Sequence, residues 1–214
     1  MPDTTAATSR PHVWRPGTCA PPLLLLHGTG DNEHGLVPLG EDLAPGSALL
    51  SPRGTVLEGT MPRFFRRLQE GVFDEDDLRE QADKLADFIN TASSTYGLKP
   101  GSLIAVGFSN GANMAAALLL LHPELLAGAV LIAAVPPLTQ PPAADLTGRR
   151  VLISNGLQDP MAHPEQTQLL ASQLRARGAD VDLQTHNGGH LVQPAHLPAV
   201  RQFLRPADRD RRAD

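Results

Sequence analysis

The 214-residue chain contains a single cysteine, Cys19. One cysteine cannot form an intrachain disulfide, so the fold does not depend on an oxidising compartment. Long apolar segments are also missing, because no run approaches the roughly 18 to 20 residues of a membrane-spanning helix. Residues 1–10 lack the apolar core of a secretory signal. These absences predict a cytoplasmic protein without a membrane span.

The chain has little excess charge, and its histidines are scattered. The net charge of −5 gives no reason to expect nucleic-acid binding. No C-x-x-C pair or carboxylate cluster has the spacing of metal ligands, so we predict neither a metal nor a cofactor. The hydrophobic content of 41% and the charged content of 19% are typical of a soluble domain large enough for a three-layer core.

The most informative stretch is Gly-Phe-Ser-Asn-Gly at residues 107–111. An apolar, β-rich run precedes it at residues 102–106, and an Ala/Leu-rich run with high helix propensity follows at residues 112–121. The two glycines lack Cβ atoms, so backbone can approach backbone closely on either side of Ser109. The pattern predicts a sharp strand-to-helix turn with Ser109 strained and exposed at its apex, as a serine nucleophile requires.

Segments of strand length alternate with helical segments from Leu23 onward. Such alternation indicates right-handed crossovers and the α/β class, with a mostly parallel central sheet flanked by helices on both faces. The predicted strands are residues 23–26, 48–51, 102–106, 128–133, 150–154 and 179–185, and the predicted helices are residues 36–43, 74–96, 112–121, 165–177 and 194–204.

One domain accounts for most of the chain. We predict that residues 22–204 form this domain and that residues 205–214 are a charged tail. Residues 1–21 are an N-terminal extension or an edge strand, in which Val13 and Trp14 pair with the sheet or pack on the core.

A serine hydroxyl needs a base to take its proton and an acid to orient that base. Two later loops, containing Asp159 and His190, follow predicted strands, as do the turn of Ser109 and the glycine-rich residues 28–30. The carboxyl ends of parallel strands meet at one edge of a sheet, so these loops are expected to converge.

Other residues of the same types are weaker candidates for the base and the acid. His186 falls at the end of a predicted strand and His196 within the closing helix, so His190 is preferred as the base. Asp182 lies inside a strand, where a solvated side chain is the simpler interpretation. His27 is interpreted as a residue that structures the loop after the first strand.

A long irregular segment, residues 52–74, contains Phe64, Phe65 and Phe73. A loop of more than about 15 residues without regular structure is usually functional or disordered. We predict an ordered wall in which the three phenylalanines line an acyl pocket and favour short or compact acyl groups. The alternative is that they only pin the loop to the domain.

The motifs together carry a family resemblance. The order Ser, Asp, His with a G-x-S-x-G turn resembles the α/β-hydrolase superfamily. Residues 26–30, residues 51–54 with 61–65, and residues 107–113 are similar to the small phospholipase/carboxylesterase family, which includes acyl-protein thioesterases and bacterial serine carboxylesterases. The resemblance covers roughly residues 22–204.

The resemblance implies roles for single residues. Ser109 is the nucleophile, His190 the base and Asp159 the acid that orients it, while the backbone amides of Thr29 and Asn110 form the oxyanion hole. Asn110 opens a helix, where its N–H has no intrahelical acceptor.

This chain departs from the family at one place. Bacterial relatives commonly read Gly-Gly-Asp-Glu after the His-Gly-Thr segment, whereas residues 30–33 read Gly-Asp-Asn-Glu. The loss of one glycine predicts a stiffer loop.

The expected function is a serine carboxylesterase that hydrolyses carboxylic esters, or thioesters, of small or short-acyl substrates through an acyl-enzyme. The alternatives are a lysophospholipase or peptidase-type acyl hydrolase and a non-catalytic binding protein with the same fold. The expected partner is a small-molecule ester, and the sequence leaves a homodimer open.

Overall fold

The computed structural model describes residues 10–205, so the predictions for residues 1–9 and 206–214 lie outside the described part. The strands are β1 (His12–Arg15), β2 (Cys19–Leu26), β3 (Ser47–Pro52), β4 (Val56–Glu58), β5 (Met61–Arg63), β6 (Arg67–Gln69), β7 (Val72–Phe73), β8 (Leu103–Phe108), β9 (Leu126–Ile132), β10 (Arg150–Gly156) and β11 (Asp180–His186). The helices are α1 (Val37–Leu43), α2 (Glu75–Tyr96), α3 (Asn110–Leu121), α4 (Pro164–Arg175) and α5 (Leu197–Leu204), the last preceded by a 3₁₀ turn at Pro194–His196.

A seven-stranded sheet in the order β1-β3-β2-β8-β9-β10-β11 forms the centre of the molecule. Every neighbouring pair is parallel except β1 and β3, which run antiparallel with Val13 opposite Ser51. The predicted mostly parallel sheet is therefore confirmed, and Val13 and Trp14 lie in an edge strand. The carboxyl ends of the parallel strands share one edge of the sheet.

The leucine run of β2 shows why this sheet is buried on both faces. Leu24 and Leu26 pack into one hydrophobic cluster, whereas Leu23 and Leu25 pack into a second cluster on the opposite face. All four side chains are fully buried. A continuous apolar run without polar alternation is typical of such a strand, and each buried leucine contributes on the order of 1.5–3 kcal/mol.

Helices cover both faces of the sheet, as the sequence predicted. Apolar side chains of α2, α3 and α4 belong to the first cluster, and those of α1 and α5 to the second. Helix α2 begins at the N-cap Asp74, whose side chain accepts from the Asp77 amide, and ends at Gly97 in the left-handed conformation. None of the helices in residues 10–205 is long and apolar enough to cross a membrane.

Two features of the fold differ from the predictions. Strand β2 begins at Cys19 rather than at residue 23, because Pro21 and Pro22 lie inside it and proline does not signal a strand. Residues 52–74 are not irregular but form two small hairpins, β4–β5 and β6–β7. Strands of two or three residues are too short for a periodic pattern to reveal.

Candidate active site

Ser109 lies in the turn between β8 and α3, with φ 53° and ψ −119°. A positive φ is strained for a residue with a Cβ atom and costs on the order of 1–3 kcal/mol. The surroundings hold the turn in place: the Ser109 amide donates to the Ile132 carbonyl at 2.9 Å. A Cβ atom at Gly111 would collide with the Leu26 carbonyl, so only glycine permits this close approach of α3 to β2.

Ser109, His190 and Asp159 form a continuous chain of hydrogen bonds. Nε2 of His190 lies 2.8 Å from Oγ of Ser109, and Nδ1 lies 2.7 Å from Oδ2 of Asp159. A carboxylate is an acceptor, so Nδ1 carries the proton and Nε2 is free to accept the serine hydroxyl. The loops after β8, β10 and β11 thus bring together the three residues that the sequence singled out.

The Asp159 side chain is fully buried, whereas 15% of the His190 side chain is exposed. Oδ1 of Asp159 accepts from the backbone amides of Met161 at 2.8 Å and Ala162 at 2.9 Å. These two bonds fix the carboxylate so that Oδ2 faces His190. The imidazole is consequently held in one orientation and one tautomer.

The alternative residues lie in other environments. His186 is buried with its ring edge-on to His196 at 5.0 Å, and burial lowers its pKa. His196 contacts the Ser154 hydroxyl through Nδ1 at 2.7 Å. Asp182 is exposed, and its Oδ2 accepts from the side-chain Nε2 of Gln184 at 3.0 Å. None of these three residues contacts Ser109 by a hydrogen bond within residues 10–205.

Thr29 and Asn110 line the same cavity as Ser109. Asn110 is the first residue of α3, so its amide has no intrahelical acceptor. No backbone oxygen of residues 10–205 accepts a hydrogen bond from either amide. The Thr29 loop is positioned by the Gly30 amide, which donates to the Pro62 carbonyl of β5 at 2.9 Å. Two free donors therefore lie in the cavity wall beside the serine.

His27 and Glu33 tie this loop to the end of β3. Nδ1 of His27 donates to the Gly28 carbonyl at 2.7 Å, and Nε2 accepts from the Gly54 amide at 2.9 Å. Burial lowers the pKa of His27, which agrees with a neutral ring. Glu33 forms a bidentate ion pair with Arg53, whose hydrogen bond lowers the pKa of that carboxyl.

Phe64 and Phe65 do not line the cavity, which corrects the placement expected from the sequence. Their side chains are 1% and 0% exposed and belong to the hydrophobic core. The Phe64 ring packs 4.8 Å from His27, and Phe65 packs edge-on against Phe73 at 5.1 Å. Only Phe73 of the three reaches the cavity. All three residues are phenylalanines, so the course of the backbone, and not the residue type, determines which of them faces the core.

The cavity has a volume of about 310 Å³ and joins the Ser109 turn to the two hairpins. Sequence reasoning assigned no role to Arg63 and Arg67, although both line it. The sequence did contain one signal for them, since Arg63 and Arg67 lie close to Phe64 and Phe65 in the long segment 52–74. The other lining residues are Thr29, Met61, Glu70, Gly71, Phe73, Phe108, Ser109, Asn110, Asn113, Ala133, Val135, Met161 and His190.

No three His, Cys, Asp or Glu side chains within residues 10–205 are grouped so that they could hold a metal ion. The chemical groups that meet in the cavity are a hydroxyl, an imidazole aligned to accept its proton and two unpaired amides. Such a set can accept a proton from oxygen and stabilise a developing negative charge.

A mostly parallel sheet that carries a serine on a strand-to-helix turn, followed along the chain by an acid and a histidine at later strand ends, defines the α/β-hydrolase fold. Comparison with known proteins narrows this class. Residues 16–207 match the profile of the phospholipase/carboxylesterase family, and the chain belongs to that family.

Individual relatives agree with this assignment. The chain is 42% identical over 196 residues to MhqD of Bacillus subtilis (strain 168), which is named as a hydrolase; the match covers 92% of this chain and 98% of MhqD. The crystal structure of the Bacillus cereus carboxylesterase is 38% identical with a TM-score of 0.90, covering 94% and 95% of the two chains. A Mesorhizobium loti carboxylesterase is 35% identical with a TM-score of 0.81, covering 85% and 87%. The protein is therefore a hydrolase of the esterase type.

Proposed function

We propose that this protein is a serine carboxylesterase that hydrolyses small or short-acyl esters through an acyl-enzyme. The observation that carries the proposal is the hydrogen-bond chain from Ser109 through His190 to the buried Asp159. The strained backbone of Ser109 supports it, because such strain persists mainly where function requires it.

Acylation begins when Oγ of Ser109 attacks the ester carbonyl carbon. His190 Nε2 accepts the serine proton, and the carboxylate of Asp159 stabilises the imidazolium that forms. The carbonyl oxygen becomes an oxyanion and accepts hydrogen bonds from the amides of Thr29 and Asn110. His190 then donates its proton to the leaving alcohol as the tetrahedral intermediate collapses.

Deacylation repeats these steps with water in place of the alcohol. His190 removes a proton from the water, whose oxygen attacks the acyl carbon, and the same two amides bind the second oxyanion. His190 finally returns the proton to Ser109 Oγ, which releases the acid. A thioester enters the same cycle with a thiol as its leaving group.

The size of the cavity supports small substrates. Its volume of about 310 Å³ lies at the lower end of the range typical for ligand pockets. Its wall includes the partly buried Phe73 and the buried Val135, an apolar lining suited to a compact acyl group. The family profile also includes phospholipases, so a lysophospholipase is the second candidate.

A fluorophosphonate probe tests the proposal directly. The wild-type protein should be labelled at Ser109, and Ser109→Ala should lose both the label and ester hydrolysis, by on the order of 10⁶-fold in turnover. Ser94→Ala, at an exposed position of α2, is the matched control and should behave as the wild type. Retention of a tenth of the activity by Ser109→Ala would show that the mechanism is wrong.

A further inference from the structure

Two arginines in the cavity wall have no part in the mechanism above. Arg63 ends β5 and Arg67 begins β6, so one guanidinium comes from each hairpin. Only 4% of the Arg63 side chain and 26% of the Arg67 side chain are exposed. Both residues line the cavity that contains Ser109. A buried guanidinium beside a reactive serine needs a partner, because an unpaired buried charge is costly.

Most N–H groups of Arg63 are not used by the protein. A guanidinium has five N–H donors. Nε of Arg63 donates to the Phe65 carbonyl at 3.2 Å, and Nη1 donates to Glu58 at 2.7 Å. Within residues 10–205, no acceptor takes the remaining donors of Arg63. These donors are available to a ligand in the cavity.

The two arginines pair with two carboxylates, those of Glu58 and Glu70. Glu58 alone is shared between them, since it also accepts from Nε of Arg67 at 3.0 Å and from Nη2 at 2.7 Å. Glu70 lies 3.4 Å from Arg67, but 62% of its side chain is exposed, so solvent screens that pair. Burial lowers the pKa of Arg63, and the charge of Arg67 lowers it further. Within residues 10–205, the ion-pair partner of Arg63 is thus Glu58, which it shares with Arg67, while the exposed Glu70 lines the same cavity.

Asn110 also lines the cavity and carries an unpaired side-chain donor among the described residues. Its Oδ1 accepts from the Phe64 amide at 2.7 Å, which fixes the orientation of the side-chain amide. Nδ2 is buried and has no partner among the described residues. The unsatisfied polar groups around the cavity are therefore donors, and donors bind oxygen acceptors.

Glu58, Arg63 and Arg67 also join the two hairpins, because these residues come from β4, β5 and β6 respectively. A purely structural role for Arg63 and Arg67 accounts for the bonds to Glu58. It does not account for the free donors of Arg63 or for the access of both arginines to the cavity.

We propose that the cavity takes esters that carry a carboxylate, which the guanidiniums of Arg63 and Arg67 bind while Ser109 attacks the ester bond. The inference rests on the proposed esterase function and names its substrate class. Guanidinium and carboxylate groups match in geometry and form short charge-assisted hydrogen bonds. The carboxylate belongs either to the acyl part or to the alcohol part of the ester.

Two pairs of substrates separate charge from shape. Monomethyl succinate and methyl 4-methylpentanoate test the acyl side, and acetoxyacetate and isobutyl acetate test the alcohol side, because the carboxylate and isopropyl groups are similar in shape. We expect kcat/KM to favour the acid in at least one pair by about tenfold or more, as hydrogen bonds to a charged group allow. The pair that shows the preference identifies which part of the ester faces Arg63 and Arg67.

Variants assign the preference to the arginines. Arg67→Gln should lower the acid-to-isostere ratio by about tenfold or more and leave hydrolysis of the neutral ester measurable. Arg66→Gln is the matched control, since Arg66 is exposed, pairs with Asp74 and does not line the cavity. Arg63→Lys keeps the buried charge and should retain a preference for the acid. Equal rates for acid and isostere in both wild-type pairs, or an unchanged ratio in Arg67→Gln, would overturn the proposal.

A binding measurement separates this inference from the proposed reaction. Calorimetry with the Ser109→Ala protein should give a lower Kd for monomethyl succinate than for methyl 4-methylpentanoate. Adding Arg67→Gln should remove this difference in Kd. This result supports the carboxylate site even if Ser109 proved not to be the nucleophile. Conversely, Ser109-dependent hydrolysis of neutral esters without tighter binding of the acid would refute the carboxylate site and leave the esterase proposal standing.

Discussion

The Phe64 amide donates a 2.7 Å hydrogen bond to Oδ1 of Asn110, and both groups are buried. This bond connects the residue after Ser109 to the segment that carries the hairpins. The backbone amide of Asn110 and the wall of the cavity are therefore positioned by one contact.

Asn110→Ala should destabilise the protein and slow hydrolysis together. The substitution leaves the buried Phe64 N–H without an acceptor, which costs about 1–3 kcal/mol in the free energy of unfolding. Urea denaturation measures this loss, and kcat measures the displacement of the Asn110 amide. Asn90→Ala, at an exposed position of α2, should change neither quantity. Wild-type stability in Asn110→Ala would mean that the bond does not hold the two segments together.

Asp159→Asn should lower turnover by roughly 10⁴-fold with little change in fold. In the wild type, Oδ1 accepts hydrogen bonds from the backbone amides of Met161 and Ala162. The side-chain oxygen of the introduced asparagine will accept these two bonds, so its NH₂ group will face His190. Nδ1 must then accept, and Nε2 carries the proton and cannot take the one from Ser109. Steady-state kinetics on a short-chain ester provide the measurement. Asp182→Asn, at an exposed position of β11, should keep wild-type rates; a large loss there would move the acid to that residue.

The stability of the protein should fall as the pH decreases below about 6.5, the usual pKa of histidine. Burial lowers the pKa of His27 in the folded state, so the unfolded chain binds a proton that the folded protein does not. The contribution of His27 to the free energy of unfolding is fully present above its pKa in the unfolded chain. This contribution decreases as the pH falls from that value toward the pKa of His27 in the folded protein. Burial lowers the pKa of His186 as well, which adds to the same slope.

His27→Gln should flatten this pH dependence while lowering stability at neutral pH. The free energy of unfolding at several pH values between 5 and 8, on the order of one measurement per half unit, gives the slope directly. His163→Gln, at an exposed position, should keep the wild-type slope. An equal slope in His27→Gln and wild type would show that His27 is not kept neutral by the fold.

Phe73→Ala and Phe64→Ala should have different effects, because one side chain reaches the cavity and the other lies in the core. Phe73→Ala should shift relative kcat/KM toward longer acyl chains, each methylene contact being worth at most about 1–3 kcal/mol. Phe64→Ala should leave that profile unchanged and lower stability by about 3–5 kcal/mol. A series of 4-nitrophenyl esters and a thermal melt distinguish the two effects. A changed profile in Phe64→Ala alone would contradict this assignment.

The sequence predicted the sheet and the meeting of Ser109, Asp159 and His190 because these depend on local or topological rules. The Gly-x-Ser-x-Gly turn is written in five consecutive residues. The two other residues follow strands, and the carboxyl ends of parallel strands must share an edge. No knowledge of side-chain packing was needed for either step.

The cavity wall could not be predicted in the same way. Glu58 and Arg67 are nine residues apart, and they meet only because two hairpins fold toward each other. Phe64 lies in the core and Phe73 lines the cavity, and the Phe64 amide bonds to Asn110, 46 positions away in the sequence. Residue type and periodicity carry no information about such contacts.

The position of β11 has a consequence for how activity is lost. This strand forms one edge of the described sheet and pairs only with β10 there, whereas the Ser109 turn follows the interior strand β8. Edge elements open more readily than interior ones in native-state exchange. We expect opening of β11 to displace the His190 loop while the Ser109 turn, which follows an interior strand, stays folded. We therefore expect hydrolysis to be lost on fraying of this one edge, so that an activity assay would report subglobal opening before spectroscopic unfolding of the domain.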